Sequence, residues 1–285
     1  MSEINILHLI YNDTFIEIKR FLSLKDIFNL RCVSSDFRDY FDNELAVLKV
    51  LNFAGQDDRA VSCLKLLNNR CMNLRTINFS NCRWLTNDLL IPMLFNNSHT
   101  LREINLSRCE NLTEMAIHPL IIHCKQIKKL VLSHCSHWLT IGSLEALIFH
   151  HCNIEELDLT GCVTMSERCL TLLLQKFQKL KVLCLASMPC VNDNILFNIS
   201  KFQSDIVHLN LFNCNAITDR GVGALSLNCK HLETLSVRGC HLITDRSLNL
   251  LRSRNVHIDV SKTSASAFII RFNQFARQRQ FYLQV

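Results

Sequence analysis

Apolar and polar residues alternate in one short phrase that keeps returning along the chain. Its clearest form is Ile154-Glu-Glu-Leu157-Asp-Leu159-Thr-Gly-Cys162. Before it stand Leu74/Ile77/Phe79/Cys82, Leu101/Ile104/Leu106/Cys109 and Ile127/Leu130/Leu132/Cys135. After it come Leu180/Leu183/Leu185 with Met188 in the Cys place, Ile206/Leu209/Leu211/Cys214 and Leu232/Leu235/Val237/Cys240. A faint copy, Leu48/Leu51/Phe53, precedes the first clear one, and successive starts lie 26 or 27 residues apart. Such a period is that of a solenoid.

The last two apolar residues of each phrase, two apart, predict a short strand with one buried face. A helix opener follows in each unit: Thr86, Thr113, Thr140, Ser166, Asn192, Thr218 or Thr244. Thr, Ser and Asn accept hydrogen bonds from the free N–H groups of a first helical turn. Apolar residues then recur at helical spacing, as at Val222/Leu225 and Leu248/Leu251. Each unit is therefore a strand, a turn and a helix. Parallel strands stack ~4.8 Å apart and helices are ~10 Å thick, so the stack must curve with its strands inside. About eight rows make a concave sheet ~35 Å long.

The pattern resembles the cysteine-containing leucine-rich repeat, whose consensus adds a Cys three places before the first Leu. That Cys is present at Cys71, Cys124 and Cys229 and absent before Leu101, Leu180 and Ile206. The resemblance covers roughly residues 48–260 and implies an α/β horseshoe solenoid.

Fifteen cysteines raise disulfide and zinc readings. Six of them (82, 109, 135, 162, 214, 240) hold one repeat position, where neighbouring side chains run parallel instead of facing. No C-x-x-C pair occurs, so the strongest zinc signature is missing. Packing is the expected role, and no metal or other cofactor is implied. The start MSEINILHLIYND lacks the basic opening and small-residue cleavage site of a secretory signal. No apolar run is long enough to span a membrane. The expected compartment is the cytoplasm, with the nucleus open. Net charge is +6, but the excess is scattered instead of forming a Lys/Arg block, which speaks against nucleic acid as partner.

Residues 1–45 depart from the repeat. Phe15/Ile18/Leu22 and Ile27/Leu30/Val33/Phe37 suit short helices with one apolar stripe each. The runs Phe21-Leu-Ser-Leu-Lys-Asp-Ile27 and Leu30-Arg-Cys-Val-Ser-Ser-Asp-Phe-Arg38 resemble an F-box, although its usual opening Leu-Pro pair is missing and Leu9-Ile10 must stand in. A plain cap for the solenoid is the competing reading, but so small a piece cannot bury two apolar stripes by itself. Residues 261–285 also break the period. Phe268, Ile269, Phe272, Phe275 and Ala276 share one helical face, with four basic residues and no acids. A cap over the last repeat is expected there, ahead of a membrane-surface helix.

An F-box (1–45) followed by repeats (46–260) and a tail (261–285) resembles the F-box/leucine-rich-repeat family of SCF ubiquitin-ligase substrate receptors. The resemblance implies a Skp-type linker protein and a cullin–RING core as partners. The linker would be gripped by Leu9, Ile18, Leu22, Leu24, Ile27, Leu30, Val33 and Phe37. It also suggests a Smurf-type HECT ligase as substrate, which no residue pattern derives. No nucleophile–base pair, phosphate loop or metal signature occurs, so a non-catalytic subunit is expected. An F-box-independent scaffold stays open, as does a small-molecule receptor, although the latter needs a larger ring with inserted loops. Substrate contact is expected where Phe212 interrupts a column of small polar residues. Val182, Cys184 and Ala186 form an apolar patch beside it, with His208 and Arg238 on either side, as in a buried anchor with a polar rim. Val131 and Asp158 extend that surface, and Glu103, Glu156 and Lys129 would orient the partner.

Overall fold

The computed structural model describes residue 22, residues 24–150 and residues 153–260. Each phrase forms a three-residue strand, because its central apolar residue has a buried row to join. The strands are β1 (Val50–Asn52), β2 (Thr76–Asn78), β3 (Glu103–Asn105), β4 (Lys129–Val131), β5 (Glu156–Asp158), β6 (Val182–Cys184), β7 (His208–Asn210), β8 (Thr234–Ser236) and β9 (His257–Asp259). They pair in parallel, in chain order, as one sheet. Ile77 lies beside Ile104, Leu130 beside Leu157, and Leu183 beside Leu209. All six are buried in the continuous core. β9 is a row beyond the eight expected, formed by the Val256-His-Ile-Asp-Val260 stretch that falls short of the full phrase.

Helices α1 (Leu24–Arg31) and α2 (Ser35–Ala46) precede the sheet. The helical layer is α3 (Val61–Asn68), α4 (Asn87–Asn96), α5 (Ile117–Ile122), α6 (Ile141–His150), α7 (Glu167–Lys176), α8 (Asp193–Phe202), α9 (Asp219–Asn228) and α10 (Asp245–Arg252). Ser166, Asn192 and Thr218 cap α7, α8 and α9 as expected, each accepting from an N–H of the first turn. Thr140 accepts from the Ser143 N–H in the same way. Thr86, Thr113 and Thr244 occupy the cap position without a side-chain cap bond. Some of the openers, capping or not, also bond the unit before. The Thr244 hydroxyl donates to the Asp219 carboxylate at 2.6 Å, as Thr218 does to Asp193. Asn192 likewise donates to Glu167 at 2.8 Å. The opener thus ties one helix start to the next.

The cysteine column does similar work inside. Cys82, Cys109, Cys135, Cys162, Cys214 and Cys240 each donate a thiol S–H to a carbonyl of the preceding unit, at 2.9–3.2 Å. Burial pushes Cys82 and Cys162 up to about 11 and Cys109 and Cys214 up to about 12, so they remain protonated donors at neutral pH. All cysteines among the described residues are free thiols. Where the earlier consensus Cys is missing before Ile206, Gln203 is buried in its place and donates to the Leu174 carbonyl at 2.5 Å.

Candidate binding face

The sheet turns one face to the helices and leaves the other open. On the open face β2, β3 and β5 present their first and third residues, while the middle one is buried, as the alternation of a pleated strand requires. The third position is mostly Asn or Asp, and its first task is local. Asn78, Asn105, Asp158 and Asn210 each accept a hydrogen bond from the backbone N–H two residues on, at 2.8–3.0 Å. These are Asx turns, which end the strand by supplying the acceptor that the ladder no longer offers. The spacing Asn-x-Ser or Asp-x-Thr carried that signal in the sequence.

Three residues after the strand end the backbone enters the left-handed region, with or without an Asx turn before it. Asn81, Arg108, His134, Gly161, Ser187, Asn213 and Gly239 all have φ between 55° and 80°. The turn lifts Asn81, Arg108 and His134 onto the edge of the open face. At Gly161 a Cβ would run into the His134 imidazole, so a side chain there would displace that ring.

A hollow of about 530 Å³ occupies the face from β2 to β7. Its floor includes Thr76, Asn78, Glu103, Asn105, Lys129 and Asp158, and Asn81, Arg108 and His134 stand at one edge. Lys129 pairs with Glu156 at 2.7 Å. Burial, with Glu156 adding repulsion against the attraction of Lys129, raises the Glu103 carboxyl above its ordinary value. Burial also raises Asp158, against the Thr160 hydrogen bonds and the nearby His134 and Lys129. His134 is lowered by burial and by the adjacent Arg108, with Asp158 opposing. Among the described residues no group of three or more His, Cys, Asp or Glu side chains could hold a metal ion. The face therefore offers hydrogen bonds and fixed charge to a partner.

The expected substrate residues divide into two groups. Val131, Asp158 and Cys184 line the hollow; Val182, His208, Phe212 and Arg238 lie outside it. Val131, Val182, Cys184 and Ala186 are all buried, at 8% exposure or less. The apolar patch expected beside Phe212 is thus closed to solvent. Phe212 itself is 38% exposed, with the Arg238 guanidinium over its ring at 5.6 Å from the centroid. The His208 Nδ1 shares a hydrogen bond with the Thr234 hydroxyl at 2.8 Å. Asn81, Arg108 and His134 were not anticipated, because only the turn geometry places them there.

At the N-terminal end, Val33 is 65% exposed in the turn between α1 and α2. Ser34 caps α2 by accepting from the Phe37 N–H. Ile27 is buried, at 3% exposure. Its place on the inner side of α1 makes it part of the support. Leu22, Leu30 and Phe37 are half-buried. Leu9, Ile18 and the Leu24 side chain lie outside the described residues, as does the tail expected to cap the last repeat. A buried Arg31–Asp42 ion pair joins α1 to α2, and Arg70 reaches Asp42 at 3.2 Å. The helical pair is therefore anchored to the first repeat.

Residues 204–226 and 228–250 match the family model described as Leucine Rich repeat. The chain is similar to Rad7 in the crystal structure of the yeast Rad7–Elc1 complex, at 20% identity and a TM-score of 0.61. That match covers 75% of this chain and 56% of Rad7, so the chain spans little more than half of its neighbour. It is also similar to a Bacteroides fragilis protein, at 15% identity and a TM-score of 0.50, over 78% of this chain and 68% of that one. A search of curated proteins finds no match. The fold is a leucine-rich-repeat solenoid. Among the described residues no helix is long and apolar enough to cross a membrane.

Proposed function

We propose that the chain is a substrate-recognition subunit of an SCF-type ubiquitin ligase. The N-terminal helices would hold a Skp-type linker on a cullin–RING core, and the open sheet face would hold a protein substrate. The observation that carries this reading is the pair α1–α2, anchored to the first repeat, which bears the F-box-like words and exposes Val33 in its turn. The neighbour Rad7 supports it, since that repeat protein crystallised with Elc1. The resemblance is closest to F-box/LRR-repeat protein 15, through Cys240-His-Leu-Ile-Thr244, the β9 stretch and the final Leu283-Gln-Val285. By that resemblance alone, a Smurf-type HECT ligase is the candidate substrate and the cytoplasm the compartment.

The subunit is non-catalytic on this reading. It would act by holding a lysine near a charged ubiquitin carrier, which is catalysis by proximity. A scaffold that works without the F-box is the alternative. Affinity purification separates the two, because linker and cullin should co-purify only with a receptor. Replacing Leu24 and Ile27 together by Asp should abolish linker capture, but the buried Ile27 makes local unfolding a competing cause. Val33→Asp avoids this. Its side chain is already in solvent, so linker capture should fall while the melting curve of the repeats is unchanged. Undiminished capture by Val33→Asp would remove the turn from the linker contact.

A further inference from the structure

The residue just ahead of each strand forms a column along one rim of the sheet, running Lys49, Arg75, Arg102, Lys128, Glu155, Lys181, Val207 and Glu233. Backbone bonds lock its members in register. The Arg75 N–H donates to the Lys49 carbonyl at 2.7 Å, Arg102 to Arg75 at 2.8 Å, and Lys128 to Arg102 at 2.8 Å. Four consecutive units therefore place a cation at the same point, within a span of ~14 Å set by the strand spacing. All four side chains are exposed. Lys49, Arg75 and Arg102 pair with no carboxylate among the described residues, while Glu155 serves both Lys128 at 2.7 Å and Lys181 at 3.8 Å. A hollow of about 100 Å³ at the Lys128 end adds Lys125 and Lys179.

Stacked like charges repel, and nothing in the fold requires these side chains, since the register is held by backbone atoms. We propose that this rim is a docking strip for an acidic segment of a partner protein. Opposed charge steers and orients such a contact. No aromatic residue stands in the column or lines the hollow at its end, so a single-stranded nucleic acid would find no stacking platform. The strip is separate from the open face, and the proposal holds whether or not the chain serves a ligase.

The test uses the full chain and a fluorescein-labelled peptide of alternating glutamate and serine, read by anisotropy. A lysine–serine peptide and an oligouridylate of equal length serve as the other arms. Wild type should bind the acidic peptide alone, and more weakly as salt is raised. The Lys49→Glu, Arg75→Glu, Arg102→Glu variant should bind it about tenfold more weakly or not at all, the scale expected of three exposed charge contacts. A control with the same change in net charge, Lys201→Glu, Lys230→Glu, Arg246→Glu, should retain binding. If the first variant melts early, the neutral pair Arg75→Gln, Arg102→Gln replaces it, with a smaller loss expected. No binding by wild type, equal loss in both charge variants, or tighter binding of the oligouridylate would each overturn the proposal.

Discussion

Strands β2, β3 and β5 and strands β6 and β8 share one backbone plan but present different open faces. In the first group the outward residues remain half-exposed around the Glu103, Lys129 and Asp158 hollow. In β6 and β8 all three residues are buried. Val182, Cys184, Thr234 and Ser236 are closed to solvent, and what projects is Phe212 beneath Arg238. The contrast teaches that rows sharing one buried core can present different open faces. A partner at the hollow must satisfy polar groups, since leaving one buried and unpaired costs about 1–3 kcal/mol. A partner at the other end meets one aromatic face.

The largest expected effect tests the shared plan. Leu157→Ala and Leu235→Ala remove equivalent, buried side chains from the two regions. Each should cost about 2–5 kcal/mol, read by denaturant unfolding. Costs at opposite ends of that range would show that the regions differ in their cores as well as their surfaces.

Phe212→Ala with Arg238→Glu comes next. On the proposed function, capture of substrate should fall about tenfold or more, the size of loss seen when an aromatic anchor is truncated. Linker capture should be unchanged. Intact substrate capture would move the grip to the hollow and sharpen the contrast toward its polar side.

The smallest effect is pH-dependent. Glu103 and Asp158 are both raised in the folded chain, above 4.5 and 3.8. Their contribution to stability is therefore full below those ordinary values and is lost as pH rises through the elevated ones. Asp219, lowered chiefly by its Ser247 and Thr244 hydrogen bonds, contributes in the opposite sense and loses its share as pH falls. Glu103→Gln with Asp158→Asn should flatten the acid-side stability profile relative to wild type. An unaltered profile would mean that the hollow is wetter than its packing suggests.

The rows, their register and several helix caps were legible in the sequence because each depends on a residue and its near neighbours along the chain. Ile77, Leu130 and Leu183 fall where the period of the phrase demands, and Ser166 sits where an α-helix needs an acceptor. β9 was missed as a full row because it carries only part of the phrase and takes its partner from β8. Cys184 and Val182 were read as exposed because alternation gives direction, not accessibility. Accessibility depends on residues distant along the chain, such as Asn210, one row on, which hydrogen-bonds Cys184. Arg108 and His134 escaped notice for a related reason. A left-handed turn brings them to the face, and non-glycine residues leave little trace of such a turn in sequence.

The thiol column gives the molecule a polarity. Every donor in it points toward the N-terminus, into a carbonyl of the unit already laid down. Cutting whole units from the C-terminal side leaves a bare carbonyl, and those of Phe53, Phe79, Leu106 and Leu211 already accept within their own turn and tolerate the loss. Cutting from the N-terminal side takes away the thiol's short acceptor, leaving Cys82, Cys109, Cys135 and Cys214 only a longer contact of 3.5–3.9 Å to a carbonyl of their own turn, and orphaned buried donors are the rarer condition in folded proteins. The two ends are thus unequal as starting points. A chain emerging from the ribosome meets each acceptor before the thiol that needs it, so the stack can lengthen one unit at a time without waiting for what comes after.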